Sequence, residues 1–220
     1  MQITVKTNVE EAMKGLARIN KKQIPFAAAL GLTNTARRLA DVEKRMIVKQ
    51  LDRPTRFTLQ GIRWQKANKA DFKTGRLHSR VFIMDKQAEY LKLNITGGTR
   101  KANRSVIPVP TRNIKLNPFG NIPGKADKIS KLLGKKNTFQ ATINGVAGIW
   151  QRPVRGRRKR GGSGTIGKSG LKLLVAYETT TQYQPRFDFY GIAKRIVPKL
   201  IGPEMDKAIK RALQTSGGKG

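Results

Sequence analysis

The chain has no cysteine and a single histidine, His78, which excludes disulfides, thiolate nucleophiles and cysteine-ligated metals. Only a carboxylate-rich metal site is left, yet acids are scarce: 13 Asp+Glu stand against 46 Lys+Arg, a net charge of +33. Asp41 and Glu43 are two residues apart on an expected helix, as are Glu204 and Asp206, so the members of each pair point in different directions and neither converges as acid/base catalysis requires. His78, on an alternating stretch, reads as a structural residue. Aromatic residues make up 6% of the chain. Trp64, Trp150, Tyr177, Tyr183, Phe187, Phe189 and Tyr190 mostly occupy positions expected to face a core rather than a base-stacking platform. The longest apolar run, Phe26 to Leu32, is too short to span a bilayer. The amino terminus lacks the apolar centre of a signal peptide. The expectation is a soluble protein that is not an enzyme, with no cofactor, no metal, no small-molecule substrate and no membrane partner.

What the chain has in excess is positive charge, and it peaks in residues 152–170. Arg152, Arg155, Arg157, Arg158, Lys159 and Arg160 fall within nine residues, with no acid among them. Such a segment lacks the apolar area to offset its ordering entropy, and its like charges repel. It reads as a flexible basic arm whose natural neighbour is polyanionic. Sequence-independent contact with phosphates of DNA or RNA is the favoured role for these residues and for Lys168; docking on an acidic protein surface and a merely solvated loop are the competing ones. Within the arm, Gly162 to Ser169 matches the phosphate-binding P-loop pattern in every position. That mechanism needs a buried strand before the loop and a helix after it. Here an Arg-rich stretch precedes and a β-like run follows, so the match is read as a decoy.

The rest of the chain is patterned. Gln2 to Lys6 alternates as a strand, and Asn8 caps an expected helix over residues 9–20. A longer helix is predicted from Pro25 to Gln50, burying Leu32, Ala36, Leu39, Met46 and Ile47, and Asp52-Arg53-Pro54 stops it. Ile62–Ala67 and Leu77–Ile83 read as strands, Ala88–Leu93 as a short helix closed by Gly97-Gly98. Residues 99–125, with four prolines, read as an irregular excursion, followed by a short helix at Ala126–Leu133. Asn144-Gly145 between two apolar runs signals a tight hairpin. Leu171–Tyr177 is a strand, which places the arm at the tip of a long β-hairpin. A helical region from Asp188 to Gln214 should be kinked or divided by Pro198 and Gly202-Pro203, with a disordered tail at 215–220. The order of elements predicts one α+β domain over 1–220, an antiparallel sheet packed against N-terminal and C-terminal helices.

Two stretches carry a resemblance. Leu16-Ala17-Arg18-Ile19-Asn20, Ile24-Pro25-Phe26-Ala27-Ala28-Ala29 and Thr33-Asn34-Thr35-Ala36 resemble the opening of tail-completion (minor tail) proteins of long-tailed, lambda-like bacteriophages. Gly148 to Arg152, Leu171 to Tyr177 and Tyr183-Gln184-Pro185-Arg186-Phe187 with a final amphipathic helix are similar to that family's carboxyl half. The resemblance covers about the first 50 and last 70 residues. It implies a structural virion protein, assembled in the host cytoplasm, that finishes the tail at its head-proximal end. Its implied partners are further copies in a ring, six by the symmetry of long tails, other tail and neck proteins, and genomic DNA. The alternative from another class is a sequence-independent RNA- or DNA-binding protein of ribosomal or nucleoid type.

Overall fold

A computed structural model describes residues 1–6, 23–102, 106–123, 128–153 and 170–216. The expected helix at 9–20 lies outside these residues, as does most of the arm. The fold is α+β, as predicted, with all strand pairs antiparallel. The chain divides into two compact units, 1–97 with 184–220, and 98–183, where the sequence suggested one continuous domain.

The first unit is built on the two long helices. Strand β1 (Gln2–Val5) opens it, and helix α1 (Ile24–Gln50) follows with Pro25 in its first turn, where a missing N–H costs nothing. Its buried stripe is Leu32, Ala36, Leu39, Glu43 and Ile47; Met46, expected there, is half-buried. Leu51 N–H donates to Ile47 O and is already extended, and Arg53 takes a positive φ of 44° ahead of Pro54. After the short α2 (Arg56–Gln60), strands β2 (Ile62–Gln65) and β3 (Ser79–Ile83) pair with β1 in the order β1-β3-β2. Central β3 sends Val81 and Ile83 into the core with Leu32, Leu39 and Ile47. Helix α3 (Asp85–Thr96) ends at Gly97, whose φ of 70° favours glycine.

The last helix, α5 (Phe189–Ser216), packs on α1. Phe187, Phe189, Ile192 and Met205 join its core. A β-carbon at Gly31 would lie 3.2 Å from the Met205 Cα, so glycine allows the close crossing. Of the expected kink or division, the division does not occur: α5 runs through Pro198 and Pro203 as one helix. Both prolines are exposed, as are Lys194 and Lys199, whose carbonyls they deprive of donors, so water can satisfy those groups. The helix also extends to Ser216, past the expected start of the tail.

In the second unit, β4 (Gly98–Lys101) pairs with β9 (Thr180–Tyr183), while β5 (Ile107–Pro110), β8 (Lys172–Glu178), β7 (Val146–Gln151) and β6 (Thr138–Ile143) form a sheet in that order. Helix α4 (Lys128–Leu133) contributes Leu132 to a core with Ile149, Leu174 and Val175. Strands β4 and β5 correct the reading of 99–125 as irregular. Thr111 N–H donates to Leu174 O at 2.9 Å. With the register Pro110↔Val175, Ile107 and Val109 therefore also face β8 with their N–H groups. Pro108 and Pro110 turn their missing N–H positions to the outer edge. Prolines here mark an edge strand, not coil. The Asn144-Gly145 turn has φ of 51° and 78°, both left-handed, as a two-residue hairpin demands.

Candidate polyanion interface

The second unit concentrates charge. Within 98–183 there are 18 lysines and arginines and only two acids, Asp127 and Glu178. Among its described residues no cation lies in an ion pair, whereas all four ion pairs of the described residues belong to the first unit. Arg100, Lys101, Arg112, Lys115, Lys131, Lys135, Lys136, Arg152 and Lys172 are all exposed. With nothing to neutralise them, they supply a field that attracts a polyanion.

The two strands that flank the arm in sequence, β7 and β8, are the central pair of the four-stranded sheet. They pair antiparallel from Gly148↔Ala176 to Gln151↔Lys172, with a bulge between Ile149 and Trp150. The stem is braced on both sides. Arg152 N–H donates to Asn137 O at 2.7 Å, prolonging the β6–β7 ladder by one step. The Arg152 guanidinium sits 5.0 Å from the centre of the Phe139 ring, a cation–π contact that leaves its donors open to solvent. Trp150 Nε1 donates to Ala141 O at 3.1 Å, so its polar end is spent on the scaffold. Of the predicted phosphate-contacting residues, only Arg152 is within the described region; Arg155, Arg157, Arg158, Lys159, Arg160 and Lys168 lie outside it. Lys172, opposite Gln151 at the other foot of the arm, was not singled out from sequence. The strand predicted at 171–177 and its pairing with the run ending at Trp150 were the signal for it.

Gly148 permits this stem. A β-carbon there would meet the Val175 carbonyl oxygen 2.2 Å away, and that atom belongs to the neighbouring strand's backbone. Gly148→Ala is expected to cost about 2–3 kcal/mol by forcing β7 from β8. Denaturant unfolding checks this, as a lower midpoint at an unchanged slope.

The residues weighed for chemistry are dispersed. The element after the P-loop-like segment is strand β8, not the helix whose N-terminus a phosphate needs. His78 Nδ1 lies 2.6 Å from the carbonyl of Arg76 on its own turn. Asp41 is exposed and Glu43 fully buried, so that pair diverges as predicted. Glu204 is buried beside exposed Asp206. Burial pushes the Glu204 carboxyl up, but hydrogen bonds from Arg38 at 2.6 Å and Lys207 at 3.1 Å outweigh it and hold its pKa below the usual carboxylate range. Glu43 has no such partner: neither of its oxygens is hydrogen-bonded. Burial first, then the negative charge of Asp188, push its pKa up to about 8, against the opposing pull of Arg195. The aromatic residues divide: Phe187 and Phe189 are buried as expected, while Trp64 is 39% and Tyr190 43% exposed.

No protein family, curated protein or solved structure matches the chain. Among the described residues, no helix is long and apolar enough to cross a membrane and no group of side chains could hold a metal ion.

Proposed function

We propose that this is a structural virion protein that completes a phage tail at the head–tail joint, with the arm between β7 and β8 set against DNA phosphates or the tail lumen. The observation that carries the reading is the concentration of unpaired cations in the second unit around a braced hairpin stem. A stem fixed by Phe139, Asn137 and Lys172 anchors both ends of a basic segment, so its charge can meet an anionic surface without unfolding the scaffold. Arginine on such an arm contacts phosphates without reading bases, which suits a genome channel. The resemblance of the opening and closing segments supplies the place of action, and a ring of copies follows from it. Unneutralised copies repel one another, so such a ring gains stability from the polyanion it surrounds.

Negative-stain microscopy of particles assembled without this protein tests the reading. Tails of normal length that fail to join heads productively are expected. Normal infectious particles would refute it, and loss of ribosomal or nucleoid material instead would favour the cellular nucleic-acid-binding alternative.

A further inference from the structure

The two outer edges of the four-stranded sheet are unequal. On β5 the groups facing outward include Pro108 and Pro110, which have no N–H, so that edge offers acceptors without donors. On β6 no described residue pairs with the outer edge. Ile143 and Val146 flank the two-residue turn and are hydrogen-bonded to each other, so Ala141 and Phe139 also face β7. Gln140 and Thr142 therefore turn their N–H and C=O groups to the open edge, and both residues are exposed. Thr138 N–H is taken up by Lys135 O at 3.0 Å, which ends the open stretch on that side.

Edge strands are ordinarily guarded by charge or proline. Strand β2 carries Arg63, β4 carries Arg100 and Lys101, and β5 has its prolines. Strand β6 has neither charge nor proline. Strands β1 and β9 also carry neither, but each has four residues against the six of strand β6. Strand β6 opens the longest uncharged stretch of the chain, Asn137 to Gln151, in a protein of which 27% of residues are charged.

We infer that the β6 edge is a self-association site, pairing antiparallel with β6 of a second copy about a two-fold axis at Ala141. An acidic partner would be drawn to the exposed cations elsewhere on the unit. Two copies each carrying +33 can approach only where neither presents charge. In this register Gln140 faces Thr142 of the partner and the reverse, giving four ladder hydrogen bonds from two donors and two acceptors per copy. The arms leave beside Thr138, three residues from the axis and on opposite sides of it. Their feet are then about 20 Å apart, well beyond the screening length of about 8 Å at physiological salt. The pairing does not depend on the virion role, so either can fail alone.

Size-exclusion chromatography with light scattering on the full chain tests it. A dimer with a Kd of about 10–100 µM is expected. It should tighten as salt rises, because screening relieves repulsion between copies, the reverse of the salt response of polyanion binding. Thr142→Pro removes an outward donor without touching the β7 ladder; by symmetry two bonds are lost, weakening the dimer roughly ten- to hundredfold. If circular dichroism shows that variant misfolded, Thr142→Lys, which places a charge beside its copy, gives the same readout. The amides of Gln140 and Thr142 should also exchange more slowly as protein concentration rises. A monomer at all concentrations in high salt, or a dimer undiminished by the folded variant, overturns the inference.

Discussion

Glu43→Met should raise the midpoint of thermal unfolding by about 10 °C at pH 9 and by much less at pH 5. The carboxyl is fully buried on α1 with both oxygens unpartnered. Its pKa stands near 8 in the folded chain against an ordinary value of 4.5. A group whose folded pKa is raised holds its proton in the native state after the unfolded chain has released it. Its stabilising share is therefore fully present below about pH 4.5. It declines by about 1.4 kcal/mol per pH unit as pH rises and is gone above about pH 8. The total over that window is about 5 kcal/mol, and a domain of this size shifts by about 2–4 °C per kcal/mol. Methionine fills the same space without a charge to bury, so it removes the slope as well as the penalty. Thermal melts of both proteins from pH 5 to pH 9 check this. A difference between them that stays constant with pH would show that Glu43 does not titrate in this window.

The arm has the other large effect. Replacing Arg155, Arg157, Arg158, Lys159 and Arg160 with serine removes five cations from a segment that contributes nothing apolar. If each neutralises a phosphate, the slope of log affinity against log salt on duplex DNA falls by up to about 4.5, at 0.9 per contact. Between 50 and 200 mM salt the native protein would then lose up to roughly 500-fold more affinity than the variant. Filter binding or fluorescence anisotropy across that range measures both slopes. Because the stem is held by Phe139, Asn137 and strand pairing, the variant should melt as the native protein does. Equal slopes would show that the arm does not contact DNA phosphates.

How much of this was legible depended on whether the signal was local. Pro25 and Asp52-Arg53-Pro54 bound α1 because they act on their own backbone, and Asn144-Gly145 specified its turn for the same reason. Prolines misled at β5, and in α5 they do not divide the helix. Their effect depends on whether the lost N–H faces a partner or water, and only the neighbouring strand or the exposed helix face decides that. The division into two units was hidden, since it rests on α5 returning to α1 and on Gly98 pairing with Tyr183. The burial of Glu43 was there to be read. The spacing 32, 36, 39, 43, 47 continues one helical face through an acid, but a charged residue was not counted as part of an apolar stripe. At the interface the excess of cations was plain from composition. Lys172 and the stacking of Arg152 on Phe139 required the register of β6, β7 and β8.

The partition of the chain also orders events on the ribosome. Strands β4 and β9 close the second unit between Gly98 and Tyr183, so it is complete once residue 183 has emerged. The first unit is not: Arg38 waits for Glu204, 166 residues later. At about 5–20 residues per second that is an interval of roughly 10–30 s. Throughout it the nascent α1 displays Leu32, Leu39 and Ile47 without their cover from α5. A chaperone that binds apolar helices would find its substrate there.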